Sequence, residues 1–107
     1  DNVGVAFNLC HFLKQNDEKE LAQTIRSIGD KLWLVSVNGA DSGDTQNMGW
    51  DQLIQPLGEG SFRVETVFLE CERVGYTGPI LLQCYNIPQP DRQHLETSIR
   101  NWNSMSH

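Results

Sequence analysis

Basic residues are scarce in this sequence. Eight Lys and Arg stand against fourteen Asp and Glu, for a formal net charge of −6, and they form no cluster anywhere along the chain. That balance argues against nucleic acid and against membrane as partners, because both nucleic acid and anionic lipid are held chiefly by a positive patch. Long hydrophobic runs are missing too. None approaches the roughly 20 apolar residues of a membrane span, and the first residues carry no signal-peptide pattern. Cys10, Cys71 and Cys84 are an odd number with no CxxC spacing. This leaves no zinc-site spacing and too few cysteines for a disulfide framework, so three buried thiols in a reducing, cytoplasmic setting are expected. There is no phosphate-binding P-loop, no GxGxxG after a strand and no GxSxG elbow. With Asp1 rather than Met at its start, the chain fits one from which a leading segment has been processed or truncated.

Three apolar runs are present, each ending on polar residues. They are Val3-Gly4-Val5-Ala6-Phe7-Asn8-Leu9-Cys10-His11, Leu32-Trp33-Leu34-Val35-Ser36-Val37-Asn38 and Gly78-Pro79-Ile80-Leu81-Leu82-Gln83-Cys84-Tyr85. Short apolar, partly β-branched runs of this kind suit strands covered on both faces. Helical patterns follow each one, and no hairpin signal or internal repeat intervenes. Strands alternating with helices imply an α/β fold with a parallel sheet and right-handed crossovers. At 107 residues the chain is long enough for one domain with a core, yet far short of the about 250 that a closed β/α barrel takes. The expectation is a single partial domain over residues 1–107, built of three parallel β/α units of a barrel.

Between the strands, Asp17 and Glu20 have capping-box spacing, and Leu21, Ile25 and Ile28 follow at helical intervals before Gly29. Asn38 to Gly49 is a polar loop long enough to serve as a lid or binding loop. Trp50 to Leu57 forms a short helical turn ended by Pro56. Ser61 is placed to cap a helix whose stripe is Val64, Val67, Phe68, Cys71 and Val74, with Gly75 after it. Asp91 is placed to cap a last helix with Leu95, Ile99 and Trp102 facing inward together.

Ligands of parallel β/α folds bind at the carboxyl ends of the strands. This puts Asn8, Cys10 and His11 on the ligand face after the first strand, Ser36 and Asn38 after the second, and Gln83 and Tyr85 after the third. Amides donate and accept at once, so the set suits a polyol or sugar; it equally suits the polar backbone groups of loops. His11 carries the imidazole of the set and is the candidate acid or base, although a lone histidine also serves as a structural hydrogen-bonder. A Cys10–His11 nucleophile is disfavoured, because neighbours on a strand end point apart. Lys14 is a solvated lysine or a contact for an anionic group. Glu59, between two glycines, is either a turn residue or a ligand contact. Asp41 and Asp44 lack the regular oxygen pattern of a calcium loop. His94 and His107 read as helix-surface and terminal residues.

Taken in order, Phe7-Asn8-Leu9-Cys10-His11, Leu34-Val35-Ser36-Val37-Asn38, Pro56-Leu57-Gly58-Glu59-Gly60-Ser61-Phe62 and Gly75-Tyr76-Thr77-Gly78-Pro79-Ile80 resemble the xylose-isomerase-like TIM barrels. These are sugar-phosphate isomerases and epimerases, ketose 3-epimerases and inosose dehydratases among them. The likeness spans nearly the whole chain and implies the last three β/α units, the C-terminal portion, of that barrel. It also implies a divalent metal such as manganese or magnesium, held in the family by an Asp in a D-x-x-H pattern, a His on the next strand and a basic Glu on the last. Here Asn8, Ser36 and Gln83 stand at those three places, and only His11, a substrate contact in the family, matches. Hard cations favour anionic oxygen, and an amide cannot abstract a proton, so no metal site and no family base are expected on this chain.

Three functions follow as expectations. One is a sugar isomerase- or epimerase-like protein whose His11 assists catalysis and whose Asn8, His11, Ser36, Asn38 and Gln83 bind a sugar or polyol. The second is a catalytically degenerate carbohydrate-binding barrel. The third is a protein-interaction unit whose open sheet edges associate with a second copy or with a missing N-terminal segment.

Overall fold

The structure, a computed structural model, describes residues 2–105. His107, read above as a terminal residue, lies outside the described residues. The fold is mixed α/β, with a three-stranded parallel sheet in the order β1-β2-β3. Strand β1 (Val5–Asn8) runs directly into helix α1 (Leu9–Gln15). A 3-10 turn at Glu18–Glu20 leads into α2 (Leu21–Ile28), and β2 (Leu32–Val37) follows. Helix α3 (Trp50–Leu53) closes the long loop, and then come α4 (Glu65–Arg73), β3 (Ile80–Leu82) and α5 (Asp91–Ser104).

The strand register decides which residues share a face. Phe7 pairs with Val35, Val35 with Ile80, and Val37 with Leu82. These five belong to the core or pack against it, together with Leu21 and Ile25 of α2 and Val67, Phe68 and Cys71 of α4. Alternation then puts Ala6, Asn8, Leu34, Ser36 and Leu81 on the opposite face. None of these five is buried among the described residues, and Leu81 is 48% exposed. One face of the parallel sheet is therefore packed and the other open.

Several local expectations hold. Asp17 accepts from the Lys19 N–H while Glu20 reaches back to the Asp17 N–H, completing a capping box that launches the turn into α2. Gly29 and Gly75 leave the helices with positive φ.

Four expectations are corrected. The first run contains a strand of only four residues, after which Leu9, Cys10, Phe12 and Leu13 bury one side of α1. Cys10 and His11 thus stand on a helical first turn, one buried and one exposed. Ser61 caps no helix; its hydroxyl accepts from the Ser42 N–H at 2.9 Å, and α4 starts after Val64. Asp91 is the first residue of α5 rather than its cap.

The largest difference is the rotation of α5. Leu95 and Ile99 are exposed, whereas His94 and Ser98 are buried; of the expected three, Trp102 does pack on the core, edge to face with Phe68. Long-range polar contacts set this. Ser98 Oγ accepts from the buried Leu57 N–H at 2.9 Å, and Asn101 Nδ2 donates to the Leu57 carbonyl at 2.7 Å. Leaving both backbone groups of a buried residue unpaired costs more than exposing part of two aliphatic side chains.

Candidate functional site at the carboxyl ends of the strands

The carboxyl ends of β1 and β3 and the start of α3 enclose a cavity of about 380 Å³, lined by Cys10, His11, Trp50, Ile54, Gln83 and Tyr85. A wider groove of about 670 Å³ runs along α4 between Arg63 and Ile80, on the helical flank away from those ends. In parallel sheets the carboxyl ends are where loops bring side chains together, so the smaller cavity is the candidate site.

His11 reaches the cavity because α1 begins one residue after β1 ends. Its ring meets the edge of Trp50 with centroids 5.4 Å apart and planes at 68°. Trp50 arrives at the end of the loop from Asn38 to Gly49 and is 39% exposed. Lys14, one turn after His11, donates to the Met48 carbonyl at 2.6 Å and holds its ammonium 5.8 Å from the Trp50 ring centre. On the far wall, the Gln83 N–H donates to the Val37 carbonyl at 2.8 Å, continuing the β2–β3 ladder past β3. Gln83 Oε1 accepts from the Tyr85 N–H at 3.1 Å, which turns the chain and brings Tyr85 to the mouth. Gln83 Nε2 has no partner among the described residues and remains available as a donor.

Of the strand-end residues picked out from the sequence, Cys10, His11, Gln83 and Tyr85 line the cavity. Asn8 stands behind Cys10, whose thiol donates to Asn8 Oδ1 at 3.1 Å. Burial pushes the Cys10 thiol up, and backbone hydrogen bonds only partly offset it, so the sulfur stays protonated and serves as that donor rather than as a nucleophile. Ser36 is paired with Asn8 in register and shares the open sheet face with it. Asn38 is elsewhere. It is fully buried, and its Nδ2 donates to the carbonyls of Gly39 (2.6 Å) and Leu53, fastening the start of the loop to the end of α3.

Asp41 and Asp44 organise the loop. Asp41 Oδ1 accepts from the Ser61 N–H at 3.3 Å, and Asp44 Oδ2 from Asn47 Nδ2 at 2.6 Å. Glu59 is an exposed turn residue. His94 is buried, with Nε2 3.3 Å from Asp91 Oδ1 and Nδ1 unpartnered.

Trp50 and Ile54 were not foreseen as site residues. An aromatic directly after a glycine-containing polar loop at a strand end was the available signal for Trp50, masked by its place at the start of a short helical turn.

A divalent metal of the kind the resemblance implies does not fit this set. The side-chain oxygens of Asn8 and Gln83 are already accepting hydrogen bonds, and neither carries charge. Among the described residues, no three His, Cys, Asp or Glu side chains come together as a metal-binding group. No helix among the described residues is long and apolar enough to cross a membrane.

Comparison with protein-family models, with curated proteins and with solved structures finds no match for the chain.

Proposed function

We propose that this chain supplies the sugar- or polyol-binding face of an isomerase/epimerase-like β/α protein, and that it forms the C-terminal three units of a TIM-type barrel. One observation carries the reading. A cavity at the carboxyl ends of a parallel sheet combines an imidazole and an amide with two aromatic rings, and no carboxylate lines it. Sugars present C–H faces that suit Trp50 and Tyr85, and hydroxyls that suit groups which donate and accept, as His11 and Gln83 do. Asn8 and Ser36 extend the polar surface along the open face, which would be the interior of a closed barrel. Asn38 belongs to the support of the loop rather than to the ligand.

His11 is the acid–base group of the set, because its imidazole is the lining side chain of the type that most often serves as a general acid or base. Gln83 binds and cannot abstract a proton. This favours a second reading, a carbohydrate binder without isomerisation. The barrel reading is supported by the open sheet face, since parallel sheets are normally covered on both sides, and by the outer edges of β1 and β3, which have no strand partner among the described residues. Further strands or a second copy of the chain would cover them. Three free thiols suit the reducing cytoplasm.

The experiment is equilibrium dialysis of the protein against D-xylose, D-fructose and myo-inositol, repeated in deuterated water with the sugars recovered and analysed. Binding with deuterium incorporated beside the carbonyl supports the isomerase reading. Binding without incorporation supports the binder. Failure to bind any of the three overturns both.

A further inference from the structure

We infer that Lys14 is a positioning residue, whose ammonium holds the Trp50 ring against His11 and so sets the shape of the candidate cavity. The role of the cavity rests on the sugar-binding reading above; the geometry that Lys14 imposes does not.

Trp50 sits at the downstream end of a long polar loop, and side chains on such loops are defined only as well as the loop is anchored. Four contacts tie this loop to α1 and the turn after it. Glu18 Oε1 accepts from Ser42 Oγ at 2.6 Å and from the Gly43 N–H at 2.7 Å. Thr45 Oγ1 donates to the Asn16 carbonyl at 3.4 Å, and Gln46 Nε2 to the Gln15 carbonyl at 3.3 Å. These four contacts hold the loop over residues 42 to 46. Helix α3, which Trp50 begins, is held further along by the Asp41 N–H on the Gln52 carbonyl and by Asn38 on the Leu53 carbonyl, and at its first residue Lys14 is the tie from α1. The lysine takes the carbonyl of Met48, two residues upstream, in a charge-assisted hydrogen bond. From there the same ammonium attracts the indole ring at 5.8 Å.

Helix geometry supplies the coupling. Lys14 and His11 are three residues apart on α1, and so lie on one side of the helix. The ring held by the lysine is therefore the ring that meets the histidine at 5.4 Å. Lys14 is half-buried and has no carboxylate partner among the described residues, so no ion pair competes with these two contacts.

NMR of the full chain tests the assignment. The His11 ring protons are displaced by the ring current of Trp50, and Trp50→Ala defines the size of that displacement. Lys14→Met keeps the aliphatic stem and removes the ammonium. It is expected to abolish most of the displacement, and Lys14→Arg, which restores a cationic donor, to recover it. Glu18→Ala frees the loop at its other anchor and leaves the His11 signals in place, which separates positioning from general loosening. Lys14→Gln takes the place of the methionine variant should that one unfold. His11 signals at their wild-type positions in Lys14→Met would overturn the assignment. D-xylose binding should weaken about fivefold in the same variant and recover in Lys14→Arg. Should the wild-type chain bind no sugar, the proposed function falls while the His11 signals still decide the role of Lys14.

Discussion

Arg26 on α2 and Glu70 on α4 face each other across the helix pair, 3.5 Å apart, with the carboxylate buried and the guanidinium 60% exposed. Arg73 completes the arrangement from the next turn of α4, donating to Glu70 Oε2 at 2.9 Å. The buried charge is the acid; both bases keep their contact with water.

That asymmetry fixes which substitutions cost stability. Removing Arg26 and Arg73 together strands a buried carboxylate and should destabilise the chain by about 3 kcal/mol. Glu70→Met leaves two guanidiniums that hydrate easily, so it should change stability by less than about 1 kcal/mol. Urea unfolding of the three proteins gives the comparison, and a Glu70→Met variant as damaged as the double-arginine one would contradict this account.

Glycine positions separate strain from collision. Gly29 combines a φ of +56° with a ψ of −128°, outside the left-handed helical region, and has nothing within 4 Å of a would-be Cβ, so Gly29→Ala should cost conformational strain alone, about 2 kcal/mol. At Gly60, φ is +83° and a Cβ would fall 2.2 Å from the Ala40 carbonyl oxygen, a backbone atom that cannot step aside. Gly60→Ala should therefore cost more, seen as a larger drop in urea midpoint.

Alkaline stability follows from the thiols. Burial, and then the neighbouring Glu70 charge, push Cys71 from 9.0 up to about 11. The folded state then holds a proton that the unfolded chain releases. This contribution is complete below about pH 9 and is lost as pH rises from about 9 to about 11, by up to roughly 3 kcal/mol. Cys71→Ser should flatten that limb of the stability–pH curve. An unchanged slope would show that other groups govern it.

Binding and folding roles separate at His11 and Asn38. His11→Ala removes an exposed ring, and should weaken sugar binding about tenfold with little change in unfolding midpoint. Asn38→Ala leaves the Leu53 carbonyl without its buried donor, while the Gly39 carbonyl keeps the Gln55 N–H, and should cost about 2 kcal/mol of stability. The reverse pattern would return His11 to the scaffold and Asn38 to the ligand.

Local signals were legible and distant ones were not. The β2 strand, the Asp17–Glu20 capping box and the Val64–Cys71 stripe were all readable from the sequence, because each is decided within a few residues. Helix α1 was hidden, because Leu9 to Leu13 is so apolar that helix and strand periods fit it equally. The rotation of α5 was hidden because Leu57, 41 residues before Ser98, decides it. Of the candidate site, the strand-end residues Cys10, His11, Gln83 and Tyr85 could be placed from the sequence. Trp50 could not, since its position beside His11 depends on how a loop closes in three dimensions.

The same Leu57 anchor gives the chain an order of assembly. The turn from Leu57 to Gly60 lies at the middle of the sequence, yet two of its backbone groups are answered by residues near the end. Until residues 98 to 101 are in place, the Leu57 N–H and carbonyl lack these partners and the turn they belong to is provisional. A cut placed before Ser98 would thus be felt 41 residues upstream, at Leu57.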